Sequence, residues 1–246
     1  MFAPRGAKKP SSNFRPVLLP MQALLLAWSG DAEVRSLKGA EWNGGPVMPT
    51  SARGGDALLA GYYASELLLR LLARDDPHPR LFDGYALLMH ALAGPWHASP
   101  PAAKPPQPDE HAREEHIRAN RAAALRAFEL LLLREAGLLP ALDAATLTLA
   151  PLAAGAPSYR LSPEGGLLAC DDGAEAETPA LPGSCWQALE HALTAAAPFT
   201  ALLAAIEQWM PRERAQLRRL LRIWLDTYSG GQLLKTRQLL HDVQAL

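Results

Sequence analysis

Leucine and tyrosine recur at helical spacing in two adjacent stretches, and that pattern sets the fold class. "GDALLAGYYASELLLRLLAR" (55–74) puts Leu58, Tyr62, Leu67 or Leu68, and Leu71 along one stripe. Asp75-Asp76-Pro77 ends it. "PRLFDGYALLMHALAG" (79–94) does the same with Leu81, Tyr85, Leu88 and Leu92, and Gly94-Pro95 closes it. An apolar stripe on a helix has to be covered by another element. Two such helices in succession predict a helical core.

More helix follows. Residues 94–110 hold six prolines and few apolar side chains, which predicts a flexible, exposed loop. A long helix is predicted from about Glu110 to Glu135. Its start is acidic (Asp109, Glu110, Glu114, Glu115), matching the positive end of the helix dipole. Leu125, Phe128 and Leu132 form its apolar face, and Gly137 is placed to end it. Within the mixed stretch 138–183, "SYRLSPEGGLLAC" reads as a small hairpin turning at Ser162-Pro163-Glu164-Gly165-Gly166. Asp171, Asp172, Glu175 and Glu177 read as a solvated acidic loop. Three further helices are predicted at about 184–197, 211–229 and 232–245.

The start of the chain differs. From Pro16 to about Trp42, "VLLPMQALLLAWSG" and "AEVRSLKGAEW" are short apolar or alternating runs ended by Ser29-Gly30 and Asn43-Gly44-Gly45, as strands are. The overall reading is α+β and mostly α. A β-rich stub over residues 1–50 precedes a helical domain over 51–246.

Composition narrows the function classes. With 246 residues and 49% hydrophobic side chains the chain can bury a sizeable core. Two cysteines, Cys170 and Cys185, make no disulfide framework, and a reducing, cytoplasmic setting is expected. No secretory signal and no stretch of membrane-spanning length is found. There is no G-x-S-x-G, no Cys-based catalytic signature and no phosphate-binding glycine loop, so nothing argues for an enzyme. The cysteines also lack the paired spacing of a structural zinc site. His111 and His116 are five apart near Glu114 and Glu115; a carboxylate–imidazole metal site centred on Glu115 and His116 competes there with a plain solvated helix start.

Charge is the remaining signal. The net charge is −1, yet residues 1–30 carry four cations (Arg5, Lys8, Lys9, Arg15) and no acid. Residues 199–246 carry seven cations and four acids, which leaves the middle strongly acidic. Positive ends suit an anionic partner. Arg214, Arg218 and Arg222 fall at i, i+4, i+8 on the helix predicted over 211–229. Such like charges repel mildly unless a polyanion covers them. Leu217, Leu221, Trp224, Leu225 and Tyr228 should be core, and Asp226 should partly pair Arg222. Lys235 and Arg237 open the last predicted helix, where cations oppose the dipole; they mark either a contact or a tolerated strain. The loop around Arg5, Lys8, Lys9 and Arg15 can lie along a phosphate backbone without reading sequence. Phe14 either stacks on a base or packs into the β layer.

Taken together, these stretches resemble the bacterial RecO family of DNA repair proteins. "RGAKKPSSNFRPVLLPMQALLLAWSG" is similar to the family's basic loop and the strand after it. "GDALLAGYYASELLLRLLARDDPHPRLFDGY" is similar to the opening of its helical domain and is the most specific stretch. "AFELLLLREAGLLPALD", "YRLSPEGGLLAC" and "YSGGQLLKTRQLL" follow at family-like positions. The likeness is weakest in the proline-rich loop and in residues 171–210.

The resemblance implies an N-terminal OB-fold β-barrel, a five-stranded nucleic-acid-binding scaffold. The basic loop would follow its third strand, so Met1 falls near the end of that strand and the barrel is incomplete. A misplaced start and a genuine truncation both fit. The resemblance also implies two C-x-x-C pairs around the hairpin in many relatives. Here those positions are Ala145, Thr148, Cys170 and Gly173, a degenerate zinc-finger region with no zinc and no other cofactor expected. Cys170 is a relic or a small buried hydrophobe.

In function the resemblance implies a non-enzymatic recombination mediator, nucleoid-associated, acting in the RecF pathway. It would bind single- and double-stranded DNA, anneal complementary strands and contact RecR. It would also bind the acidic C-terminal tail of single-stranded DNA-binding protein and help RecA load. Arg5, Lys8, Lys9 and Arg15 would contact the backbone, with Arg214, Arg218 and Arg222 adding positive surface. Lys235 and Arg237 match the basic C-terminal motif. The tail pocket should be apolar with a cationic rim on the helical domain. The alternative reading is a helical adaptor that binds proteins and has little DNA affinity.

Overall fold

A computed structural model describes residues 2–3, 14–31, 35–46, 55–94, 110–153, 158–170, 178–229 and 236. In chain order these form β1 (Phe2–Ala3), β2 (Leu24–Ser29), β3 (Arg35–Trp42), α1 (Gly55–Leu71), α2 (Pro79–Ala93) and α3 (Glu110–Glu135). Then come β4 (Ser158–Ser162), β5 (Gly166–Ala169), β6 (Leu181–Pro182), α4 (Gly183–Thr194), α5 (Pro198–Glu207) and α6 (Pro211–Tyr228). The described part is mostly helical with two small three-stranded sheets, and no barrel closes among the described residues.

The helical core is organised by α3. Its first turns are polar, but Ala123, Ala124, Ala127, Phe128 and Leu130 to Leu133 are all buried. A helix that is apolar all round has to be enclosed, and α1, α2, α5 and α6 all touch it. Gly84 permits the close approach of α2, since a Cβ there would lie 2.5 Å from Leu131 Cδ2. At the end of α3, Gly137 takes φ +70°. Its N–H donates to the Arg134 carbonyl (3.0 Å) and the Leu138 N–H to the Leu133 carbonyl (2.8 Å), the paired bonds of a Schellman end. One charge lies inside this core. Glu129 is fully buried, with its Oε1 accepting from the Tyr63 hydroxyl at 2.8 Å and lying 2.8 Å from the Arg126 guanidinium. Such pairing is what makes a buried carboxylate tolerable.

The hairpin β4–β5 forms where expected, with Tyr159 opposite Ala169 and Ser162 opposite Gly166, and β6 adds to the other edge of β4. It packs on α4. Trp186 is fully buried and its indole N–H donates to the Tyr159 carbonyl at 3.1 Å. The preceding loop is tied in as well. The Thr146 N–H donates to the Leu167 carbonyl and the Leu167 N–H to the Thr146 hydroxyl, both at 2.8 Å.

The first sheet has the order β1-β3-β2, with β1 parallel and β2 antiparallel to β3 and a bulge at Ala27/Trp28. Its buried residue is Leu37, while Leu25, Trp28 and Trp42 are exposed.

Four expectations need correction. On α1, Tyr62 is exposed and Tyr63 is the buried tyrosine. "VLLP" forms no strand: the Leu18 N–H bonds back to the Phe14 carbonyl at 2.8 Å, and the strand begins only at Leu24. The helix α5 differs from the expected succession of helices; Pro198 at its first turn and the buried stripe Phe199, Leu202 and Ile206 are its signals in the sequence. Tyr228, expected in the core, is 39% exposed and tilts against Trp224 with ring centroids 5.4 Å apart. The predicted 94–110 and acidic loops fall mostly outside the described residues, as does the predicted 232–245 helix apart from Thr236.

Candidate nucleic-acid interface

The strongest amphipathic pattern is that of α6. Leu217, Leu220, Leu221, Trp224 and Leu225 recur at three and four and are all buried. Arg218, Arg219 and Arg222 are exposed. Arg218 and Arg222 stand one turn apart, about 6 Å along the axis. The Arg222 Nε lies 3.9 Å from the Asp226 carboxylate with both side chains in contact with water, so the pair is weak. Among the described residues neither Arg218 nor Arg219 has an ion pair. Arg219 was not singled out in the sequence, because the i, i+4, i+8 count passes over it.

Arg214 is placed differently from its two predicted partners. Its Nε donates to the Trp209 carbonyl (2.9 Å) and its Nη2 to the Glu207 carbonyl (2.7 Å). Glu207 closes α5, where carbonyls lack helical partners and the dipole favours a cation. Arg214 therefore spends its donors on the α5–α6 junction.

The remaining cations lie elsewhere. Arg15 is exposed in the turn after Phe14, and Phe14 itself is half-buried. Arg5, Lys8, Lys9, Lys235 and Arg237 lie outside the described residues. Between the last two, Thr236 is described and buried. Its N–H donates to Glu66 Oε2 at 3.1 Å and its hydroxyl donates to the same oxygen. The other Glu66 oxygen accepts from Arg70 at 2.8 Å.

A concave surface accompanies these charges. Where α3 leaves α1 and α2, a groove of about 450 Å³ is floored by Ala60, Leu92, Ile117 and Leu125. Arg118 and Arg121 also line it, together with the carboxylates Asp56 and Glu114. A second groove of about 450 Å³ on the far side of Ile117 is lined by His90, Arg113, His116 and Asn120 and by no carboxylate. The first groove draws on α1, α2 and α3 and the second on the end of α2 and on α3, so spacing along the chain gives no sign of them.

Metal chemistry finds no donor set. No group of three or more His, Cys, Asp or Glu side chains gathers among the described residues, including around Glu115 and His116. At the degenerate finger, Ala145 and Thr148 offer no thiolate beside Cys170, so the residues present do not fit zinc. No helix among the described residues is long and apolar enough to cross a membrane.

Comparison with known proteins shows the family. Residues 53–103 match the family described as Recombination protein O C terminal. The chain is 53% identical over 242 residues to the DNA repair protein RecO of Variovorax paradoxus, covering 98% of this chain and 84% of that protein. It belongs to the RecO family of DNA repair proteins. Other RecO relatives agree at lower identity: 48% for Albidiferax ferrireducens over 98% of this chain and 83% of that protein, and 49% for Acidovorax ebreus over 98% and 85%. The RecO C-terminal match spans α1 and α2, two of the helices that wall the first groove.

Proposed function

We propose that the protein is a recombination mediator. It binds single- and double-stranded DNA through the phosphate backbone, promotes annealing, and helps RecA load on DNA coated with single-stranded DNA-binding protein. The observation that carries the reading is the exposed arginine face of α6 on a member of a DNA repair family. Cations between two strands reduce their mutual repulsion, which is what annealing needs. Arg218, Arg219 and Arg222 supply backbone contacts, with Arg214 adding charge but few free donors. Arg5, Lys8, Lys9 and Arg15 add positive charge within the OB-fold unit proposed over residues 1–50. Lys235 and Arg237 add to that charge at the end of the helical unit proposed over 51–246. No catalytic step is involved.

RecR and the acidic tail of single-stranded DNA-binding protein are the proposed protein partners. The groove lined by His90, Arg113, His116, Ile117 and Asn120 has the chemistry for an acidic peptide with apolar side chains. That groove also supports the second reading, an adaptor that binds proteins alone.

Fluorescence anisotropy with an oligonucleotide and with an acidic tail peptide separates the readings. The mediator binds both. Its affinity for duplex falls with salt at about 0.9 log units per log unit for each phosphate neutralised. Replacing Arg218, Arg219 and Arg222 with Ala flattens that slope; an unchanged slope removes α6 from the interface. Peptide capture without DNA affinity at low salt selects the adaptor.

A further inference from the structure

We infer that the groove between the end of α2 and the first three turns of α3 is a pH-graded carboxylate site, in which His90 and His116 tighten the grip on an acidic peptide as they take up protons. The inference rests on the peptide-binding reading above and adds the residues that regulate it.

Helical spacing builds one wall. Arg113, His116, Ile117 and Asn120 fall at i, i+3, i+4 and i+7 on α3, so they share one face. His90 and Ala91 in the last turn of α2, with Gly94 after it, form the other wall. The space between them is about 450 Å³, enough to seat side chains of a ligand. Ile117 also lines the first groove, so the two grooves lie side by side. Their charges differ. The first groove sets two guanidinium groups against two carboxylates. The second has one guanidinium, two imidazoles and, among the described residues, no carboxylate.

That contrast selects an anionic occupant and makes its binding depend on pH. Imidazole is the side chain that changes charge between pH 5 and 8. With both rings neutral the lining carries the single positive charge of Arg113; with both protonated it carries three. His90 also stands in the last turn of α2, where the helix dipole favours a cation. Aspartate and glutamate side chains of a peptide stay ionised over most of that range, so the groove is the partner that changes. Ala91 and Ile117 add apolar surface, which suits a peptide better than a phosphate backbone. Charged groups on the neighbouring elements do not line this groove. On α3, Glu114 and Arg118 line the first groove, and Glu115 precedes His116 and is exposed. On α2, Asp83 is exposed two turns before His90. From α5, the Glu207 carboxylate reaches this face and accepts a bond from Asn120 Nδ2.

Fluorescence anisotropy with a labelled peptide of aspartates ending in leucine and phenylalanine reads the effect. Affinity should rise roughly fivefold from pH 8 to pH 6, at about two- to threefold for each exposed ion pair gained. His90→Gln and His116→Gln should each remove about half of that rise on a logarithmic scale, and the double variant all of it. The same peptide with asparagine in place of aspartate should show no rise with the parent protein. Arg113→Gln should weaken binding at both pH values and leave the rise in place. No rise in the parent, or a full rise in the double histidine variant, overturns the inference.

Both histidines are exposed, so the glutamine variants leave the core untouched. The inference and the reading beneath it fail separately. Capture of the peptide with equal affinity at both pH values keeps the peptide-binding reading and overturns the role of the histidines. No capture at pH 6 and low salt overturns both. If the double histidine variant loses pH-dependent binding of an oligonucleotide but not of the peptide, the groove belongs to nucleic acid and the inference is overturned.

Discussion

The two sheets have the same number of strands and quite different surroundings. In β5-β4-β6, Tyr159, Leu161, Leu167 and Leu181 all belong to the helical core. Trp186 of α4 adds a buried hydrogen bond to the β4 backbone. In β1-β3-β2, Leu37 is buried but lies outside that core, and Leu25, Trp28 and Trp42 face water. Small sheets are marginal on their own. The second sheet draws its stability from the helices that cover it, and the first has no such cover among the described residues. Strand count and β-propensity do not reveal which case holds.

This difference can be tested, starting with the largest effect. Trp186→Ala removes a fully enclosed ring and its hydrogen bond to the Tyr159 carbonyl, so it should cost about 3–5 kcal/mol in urea unfolding. A cost below 1 kcal/mol would mean the second sheet is not integral to the core. Thr146→Val keeps the volume but removes the acceptor of the Leu167 N–H, and should cost about 1–2 kcal/mol by the same measurement.

A pH effect comes next. Burial first, and the Glu213 carboxylate second, push the Cys185 thiol up to about 11 from 9.0. Between those values the unfolded chain loses a proton that the folded one keeps, so stability is full below pH 9 and declines as pH rises toward 11. Cys185→Ala should remove that part of the decline, measured as the difference in urea midpoint between pH 8 and pH 10. A decline of the same size in the variant would assign it to other groups. The smallest effect is expected from Leu37→Ala, which should speed hydrogen exchange in β2 and β3 and leave the urea midpoint of the helices unmoved. A shift of that midpoint would make the two sheets alike.

Legibility in the sequence followed the range of the interactions. The limits of α2, α3 and α6 could be read because prolines, an acidic start and Gly137 act within a turn of themselves. The hairpin could be read from its Gly-rich turn. The helix α5 is only ten residues long, so its stripe of Phe199, Leu202 and Ile206 repeats too few times to stand out. Arg214 followed the i, i+4 rule, yet the nearest free acceptors belonged to the end of α5, which a rule for one helix does not contain. Glu66 and Thr236 each look like ordinary polar residues until the fold brings them together. Of the candidate site, the exposed Arg218 and Arg222 could be read from spacing, and Arg219 and the grooves could not.

The clasp between Thr146 and Leu167 has a consequence for how this corner of the molecule forms. Donor and acceptor both travel with the polypeptide, so the corner can shut as soon as the strands meet. Its assembly is timed by the encounter of two segments about twenty residues apart. That timing is set by the length of chain between them and by the solvent.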